Sequence, residues 1–222
     1  MLSKTRTGKF TASEIWKLFV EPKTKADKEA GVWSETSLTY IMEKAVEEVT
    51  GWRKEFSSKA TDHGLYNEQE AFDAFKTLTG LNFVMNSSTF LEYGQYAGAS
   101  PDGILYDGLD IIAVMDVKCP YSPVSFFNQK IDHLEGDNVP REYFYQLQMQ
   151  MMVTGCDTSY LCRYLTSSVT DDFGNKFEFD LTINSRLFYT TVKKDQSVWD
   201  AMEEKIMKAQ KTKERIISQI LK

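Results

Sequence analysis

The feature that most restricts how this chain can fold is an unbroken apolar run, Ile111-Ile-Ala-Val-Met115, that ends in Asp116-Val117-Lys118. Short, rich in β-branched residues and bounded by Gly108 and Pro120, it reads as a buried strand. Residues two apart in a strand share a side, so Asp116 and Lys118 point the same way and the Val117 carbonyl lies between them. Unpaired charge at the end of such a strand is costly, so its presence needs a reason. Upstream, across a hairpin-like turn at Asp107-Gly108, Ser100-Pro-Asp102-Gly103 supplies another carboxylate.

These residue types suit metal-assisted hydrolysis. A hard divalent cation takes oxygen ligands, which Asp102, Asp116 and the Val117 carbonyl can provide, while Lys118 can orient or deprotonate water and offset charge on a phosphate. Taken alone, Pro-Asp-Gly is a turn signal and Asp116 with Lys118 a solvated face. The apolar strand that precedes the pair argues against that simpler account.

Around this strand the pattern is mixed. Thr11-Ala-Ser-Glu14 has the form of a capping box and predicts a helix from about Ala12. The polar stretch Glu21–Gly31 reads as a loop, followed by helices over Glu35–Val49, stopped by Gly51, and about Leu65–Leu78, stopped by Gly80. Strand-like segments occupy Leu81–Met85, Thr89–Leu91, Ile111–Val117, Thr158–Leu165, Lys176–Ile183 and Leu187–Val192. Helical spacing returns near Phe126, over Arg141–Val153, and in a long amphipathic stretch from Asp195 to Leu221. With no repeat and no linker, this order predicts one α/β domain: N-terminal helices over 11–79, a sheet core over 81–192 and a C-terminal helix over 195–221.

Composition removes several classes. A formal net charge of −6 tells against a protein that coats nucleic acid by bulk attraction, so contact with DNA must be local. Carboxylates gathered at a divalent metal contribute to such a total without forbidding a basic groove nearby. No apolar stretch approaches the roughly 20 residues of a membrane span, and the N-terminus lacks a secretory signal, so a cytoplasmic protein is expected. Cys119, Cys156 and Cys162 have neither zinc-ligand spacing nor a redox pair and read as reduced thiols. Lys205, Lys208, Lys211, Lys213 and Arg215 alternate with Glu203, Glu204 and Glu214, the pattern of a solvated, ion-paired helix.

In order along the chain stand Arg6, Thr11-Ala-Ser13-Glu14, Gly64 with Glu68 and Ala71, Ser100-Pro-Asp-Gly103, Asp116-Val-Lys-Cys-Pro120 and Tyr143-Phe-Tyr-Gln146-Leu-Gln148. On these motifs the chain resembles the PD-(D/E)xK nuclease superfamily and, within it, the lambda exonuclease-like viral recombinases, also called alkaline exonucleases. The resemblance implies a restriction-endonuclease-like core, a central mixed sheet flanked by helices. It implies that Asp102, Asp116 and the Val117 carbonyl bind one or two Mg²⁺ ions, for which Mn²⁺ can substitute, with Lys118 beside the attacking water. Glu68 matches the family's helix-borne acidic residue; Glu70, about 200° further round the helix, faces elsewhere.

The resemblance also assigns Gln148 to the neighbourhood of the metal, leaving Gln146 and Gln150 to solvent or a groove. The stripe of Tyr143, Leu147 and Met151 belongs to the core. Arg6, Ser13 and Ser100, with Thr11, match a pocket for the 5′-terminal phosphate. Independent physics agrees: Ser13 falls in the first turn of the expected helix, whose free amides attract anions, and arginine grips phosphate bidentately. Lys23 falls where the family has a further basic residue, beyond an intervening loop. Where lambda exonuclease has an apolar wedge that parts the strands, this chain has Thr61, which leaves strand separation open.

The activity so implied is 5′-to-3′ degradation of one strand of linear double-stranded DNA. Its 3′ single-stranded tails would pass to an annealing protein, and the relatives form a homotrimer ring. Two other classes compete: a PD-(D/E)xK endonuclease of different specificity, and a catalytically silent subunit that binds DNA ends. An iron–sulfur nuclease of the same superfamily needs four cysteines, and three at these spacings argue against it.

Overall fold

The structure, a computed structural model, describes residues 6–53, 59–86, 89–136, 139–170 and 174–222. Phe10–Thr11 is a short strand (β1), and a 3₁₀ helix covers Ile15–Phe19. No α-helix starts at Ala12. The backbone there is drawn into a sheet, with the Phe10 amide bonded to the Tyr96 carbonyl at 2.8 Å and that of Ala12 to the Gly98 carbonyl at 3.1 Å. Glu14, the expected capping partner, is instead paired with Lys17 at 2.6 Å and Lys44 at 3.6 Å. Within the segment read as loop, Thr24 caps a short helix, α1 (Lys25–Glu29). Helix α2 (Glu35–Thr50) starts on Ser34, whose hydroxyl accepts from the Ser37 amide, and stops at Gly51 in the left-handed region, φ 68°, which glycine adopts at least cost.

Helix α3 (Lys59–Thr79) leads into β2 (Val84–Met85), β3 (Leu91–Tyr93), β4 (Ala97–Ala99), β5 (Gly103–Asp107) and β6 (Asp110–Lys118). Strand β4 was not foreseen because Ala-Gly-Ala carries no strand signature. Its Gly98 is set by crowding: a Cβ there would lie 2.5 Å from the Leu91 carbonyl oxygen. Beyond β6 come α4 (Pro123–Leu134), α5 (Arg141–Thr154), β7 (Thr158–Tyr164), β8 (Ser168–Thr170), β9 (Lys176–Glu178), α6 (Ile183–Arg186), β10 (Leu187–Lys193) and α7 (Gln196–Ile220). The strand expected over Lys176–Ile183 is thus only β9, and α6 begins at Ile183.

The main sheet has the order β10-β7-β6-β5-β2, with β6 and β7 parallel and the other pairs antiparallel. Residues Ala113–Val117 are buried, so the apolar run is buried over its second half only, with Ile111 half-buried and Ile112 exposed. Along β6 the side chains alternate between two cores. Ala113, Met115 and Val117 join Phe72 and Phe75 of α3, whereas Val114 joins Leu147 and Met151 of α5. A smaller sheet, β1-β4-β3, pairs β1 and β4 in parallel and packs with α2, α5 and α7. No helix among the described residues is long and apolar enough to cross a membrane.

Gly103 serves packing rather than a turn. A Cβ at this position would meet the Phe72 ring at 2.5 Å, so its absence lets α3 lie against the strand that follows Asp102. Gly103→Ala is expected to lower stability by about 1–3 kcal/mol through overpacking. Thermal denaturation measures this, and an unchanged melting temperature would contradict the packing role.

Candidate active site

Asp116 sits at the carboxyl end of β6 and is 1% exposed. On the alternation of β6 it faces α5, and that helix answers with two amides. Gln146 Nε2 and Gln150 Nε2 both donate to Asp116 Oδ1, at 2.5 and 3.0 Å. These glutamines are four residues apart and so share one helix face. Gln148, on the opposite side, donates to the Lys193 carbonyl at 2.8 Å and accepts from the Asp195 amide and the Trp199 indole, both at 3.0 Å. Its assignment to the metal's neighbourhood is therefore corrected: Gln148 ties the start of α7 to α5, and Gln146 and Gln150 occupy the site. The resemblance leaves Gln146 and Gln150 to solvent or a groove; the buried carboxylate opposite them was not visible in sequence.

Lys118 shares Asp116's side of β6. Its Nζ lies 2.5 Å from Asp116 Oδ2 and 5.3 Å from the centre of the Tyr143 ring. Burial by itself would lower the Lys118 pKa, but Asp116 and then Asp102 outweigh it and hold the ammonium above the ordinary lysine range. Asp102 Oδ2 accepts the Val117 amide at 2.7 Å, while the Asp102 amide bonds the Met115 carbonyl at 3.0 Å. This locks the Pro-Asp-Gly segment to β6. Burial, and next the charge of Asp116, push the Asp102 carboxyl up to about 7, against the pull of Lys118 and the Val117 amide.

From α3, Glu68 comes within electrostatic reach of the same group. Its carboxyl is raised first by burial and also by Asp116, with Lys118 opposing. Glu70 faces away, as the helix offset required. Its Oε1 accepts from the Tyr164 hydroxyl at 2.6 Å and lies 3.7 Å from Arg186. The Thr61 side chain lies outside the described residues.

A divalent cation fits this donor set. Mg²⁺ is held by one or two carboxylates plus waters rather than by a full protein cage. Among the described residues no three His, Cys, Asp or Glu side chains come together as a group that could hold a metal ion. Burial is the first cause that raises the Asp102 and Glu68 carboxyls, and the charge of Asp116 adds to it at Asp102. Gln150, fully buried, fixes the rotamer of Asp116. Gln150→Leu is expected to weaken Mn²⁺ binding about 10–100-fold, as loss of a supporting hydrogen bond does. Calorimetric titration would show it, and unchanged affinity would remove Gln150 from the site.

Of the residues assigned to the 5′ end, Thr11, Ser13 and Ser100 lie at the parallel pairing of β1 and β4. Phe10 pairs with Ala97 and Thr11 with Gly98, so Ser13 and Ser100 leave the same end of neighbouring strands. The Ser100 hydroxyl is buried without a hydrogen-bond partner among the described residues, and so is Arg6 Nε. Arg6 lies over the Phe90 ring at 5.4 Å. Its pKa is lowered, chiefly by burial and next by Arg53, a neighbouring cation that the sequence reading missed. Thr11 is buried, gives its amide to the Tyr40 hydroxyl at 2.9 Å and lies 3.5 Å from the Ser13 hydroxyl. The helix-end attraction expected at Ser13 is corrected, since only a five-residue 3₁₀ helix follows and no side chain caps it. Any anion held here is held by side chains. Lys23 remains on the exposed approach to α1.

This chain is similar in structure to a phage related exonuclease from Haemophilus somnus 129PT, at 24% identity and TM-score 0.76, with 96% of each chain covered. It is also similar to an alkaline exonuclease from Laribacter hongkongensis, at 22% identity and TM-score 0.72, covering 97% of this chain and 92% of that one. The same exonuclease in complex with dAMP matches equally well, with TM-score 0.72. These likenesses establish the fold, which is restriction-endonuclease-like. No curated protein matches. The model of the YqaJ-like viral recombinase domain matches residues 3–157, a stretch running from the N-terminal turn through β6 to the end of α5. The chain therefore belongs to the YqaJ-like viral recombinase family.

Proposed function

We propose that the protein is a divalent-metal-dependent exonuclease that degrades one strand of linear double-stranded DNA from its 5′ end, leaving 3′ single-stranded tails for recombination. The family implies a nuclease role. The observation that carries the reading further is the pairing of buried Asp116 with part-buried Lys118 at the end of β6, near Asp102 and Glu68.

Asp102, Asp116 and the Val117 carbonyl would hold Mg²⁺ or Mn²⁺, with Glu68 at the edge for a bound water or a second ion. When bound, the cation polarises the phosphate and lowers the pKa of a ligated water. Lys118, whose ammonium Asp116 and Asp102 favour, would lie beside the attacking water and offset phosphate charge. Gln146 and Gln150 keep the Asp116 carboxylate facing the cation. At the other end of the site, Arg6, Ser13 and Ser100, backed by Thr11, would seat the terminal 5′-phosphate and so place the first phosphodiester at the metal. The alkaline exonuclease relative was solved with dAMP, and a deoxynucleoside monophosphate is the product expected here. The setting that goes with this reading is the cytoplasm, with DNA ends as substrate, a single-strand annealing protein as partner and a ring of three copies.

The test is incubation of linear duplexes bearing 5′-phosphate or 5′-hydroxyl, and of closed circles, with Mg²⁺, Mn²⁺, Ca²⁺ or chelator. Mononucleotide release from linear ends in Mg²⁺ or Mn²⁺ is expected, with binding but little cleavage in Ca²⁺. Nicked circles would identify an endonuclease instead, and cleavage in excess chelator would defeat the metal mechanism.

A further inference from the structure

Away from the metal site lies a buried ion network that hydrolysis does not use. Lys213 of α7 was expected on a solvated helix face, yet it is 2% exposed. Its Nζ donates to the Gly8 carbonyl at 2.8 Å and lies 2.7 Å from Glu48 of α2. From the other side, Glu47 Oε2 accepts the Gly8 amide at 3.1 Å. Glu47 Oε1 is itself held by Lys44 at 2.8 Å, and Lys44, also 2% exposed, reaches Glu14 at 3.6 Å. Both polar backbone groups of Gly8 are thus taken by charged side chains from two helices. Gly8 has φ 73°, and a Cβ on it would lie 2.9 Å from Glu48 Cβ.

Buried ion pairs seldom add net stability over apolar packing of the same volume, and fixing local geometry is one role they serve. What this network specifies is the turn at residues 6–9. The Lys9 amide bonds the Arg6 carbonyl at 3.4 Å, and Lys9 Nζ pairs with Glu92 at 2.5 Å. Arg6, two residues before the clamped glycine, is the guanidinium assigned to the 5′-phosphate.

We propose that Lys213, acting with Glu47 on Gly8, is a positioning residue that holds Arg6 in the 5′-phosphate pocket, so that α7 sets the preference for a phosphorylated end. This rests on the pocket reading given above. Lys213 touches no DNA in this role; it acts through the turn. The basic residues of α7 therefore differ in kind: Lys211 is exposed and dispensable for end recognition, and Lys213 is not.

The test compares binding of duplexes with 5′-phosphate and 5′-hydroxyl ends by fluorescence anisotropy without metal, and KM and kcat with Mg²⁺. The full-length wild type, Arg6→Ala, Lys213→Met, Gly8→Ala and Lys211→Met are measured alongside their melting temperatures. Lys213→Met keeps most of the aliphatic stem, and Glu48, whose side chain is 49% exposed, stays solvated. Wild type should favour the phosphorylated end about tenfold or more. Lys213→Met should reduce that ratio about three- to tenfold, through weaker binding and higher KM of the phosphorylated duplex at unchanged kcat. Gly8→Ala should do the same by moving the turn, and Lys211→Met should match wild type. Adding Lys213→Met to Arg6→Ala should cost nothing further, which a purely structural role would not produce. A preference lost in Arg6→Ala but intact in both Lys213→Met and Gly8→Ala overturns this inference alone. Equal weakening of both duplexes by Lys213→Met overturns it too. A wild type without preference overturns the pocket and the inference with it.

Discussion

Asp116→Asn and Lys118→Ala are each expected to lower kcat/KM on linear duplex DNA by on the order of 10³-fold or more, equivalent to about 4 kcal/mol of transition-state stabilisation. Asp116 is the group on which the site converges: both α5 glutamines and Lys118 are directed at its carboxylate. Asparagine keeps the shape and one acceptor oxygen but removes the charge that would hold a cation and that keeps Lys118 protonated. The alanine variant is a poorer probe. Asp116 is buried and paired, so Asp116→Ala strands two amides and an ammonium, at a cost of about 3 kcal/mol. That figure is the low end for a broken buried pair, because the Lys118 side chain keeps 28% of its surface exposed and can rehydrate. Cleavage and thermal melting on the same preparation separate the effects. Turnover within tenfold of wild type in either Asp116→Asn or Lys118→Ala would sink the assignment.

Arg6→Ala is expected to slow digestion of 5′-phosphorylated duplex at least tenfold and to leave the 5′-hydroxyl duplex nearly unchanged. A charge-assisted hydrogen bond from a guanidinium to phosphate contributes about 1.5–3 kcal/mol, more than enough for that factor. Arg6 has the capacity, since its Nε is buried without a partner among the described residues and Arg53 adds positive charge beside it. Ser100→Ala and Ser13→Ala should show the same selectivity more weakly, each at about 1 kcal/mol. Ser13 caps no helix here, so its replacement should leave the melting temperature unchanged. Rates measured on both duplexes decide the matter: equal slowing of the two by Arg6→Ala would mean that Arg6 supports the fold and not the end.

The sequence determined what depends on neighbours along the chain. The apolar run 111–115 predicted a buried strand, and Asp116 and Lys118 share a side of it, because alternation is a local property of extended backbone. Gly51 and Gly80 ended the helices as expected, and Glu70 bonds Tyr164 of β7, as its offset from Glu68 allows. Local reading failed where a distant partner decided. A capping box at Thr11 lost to pairing with a strand more than eighty residues away, whose own Ala-Gly-Ala gave no sign of being one. On α5, the resemblance set Gln148 apart from Gln146 and Gln150, but only packing against β6 showed which of them meet the buried carboxylate. Lys213 looked like any residue of a charged surface helix until α7 lay across α2 and the N-terminal turn. Periodicity specifies which residues share a face; the tertiary fold alone decides what that face meets, since contacts between distant segments leave no trace in the spacing of either one.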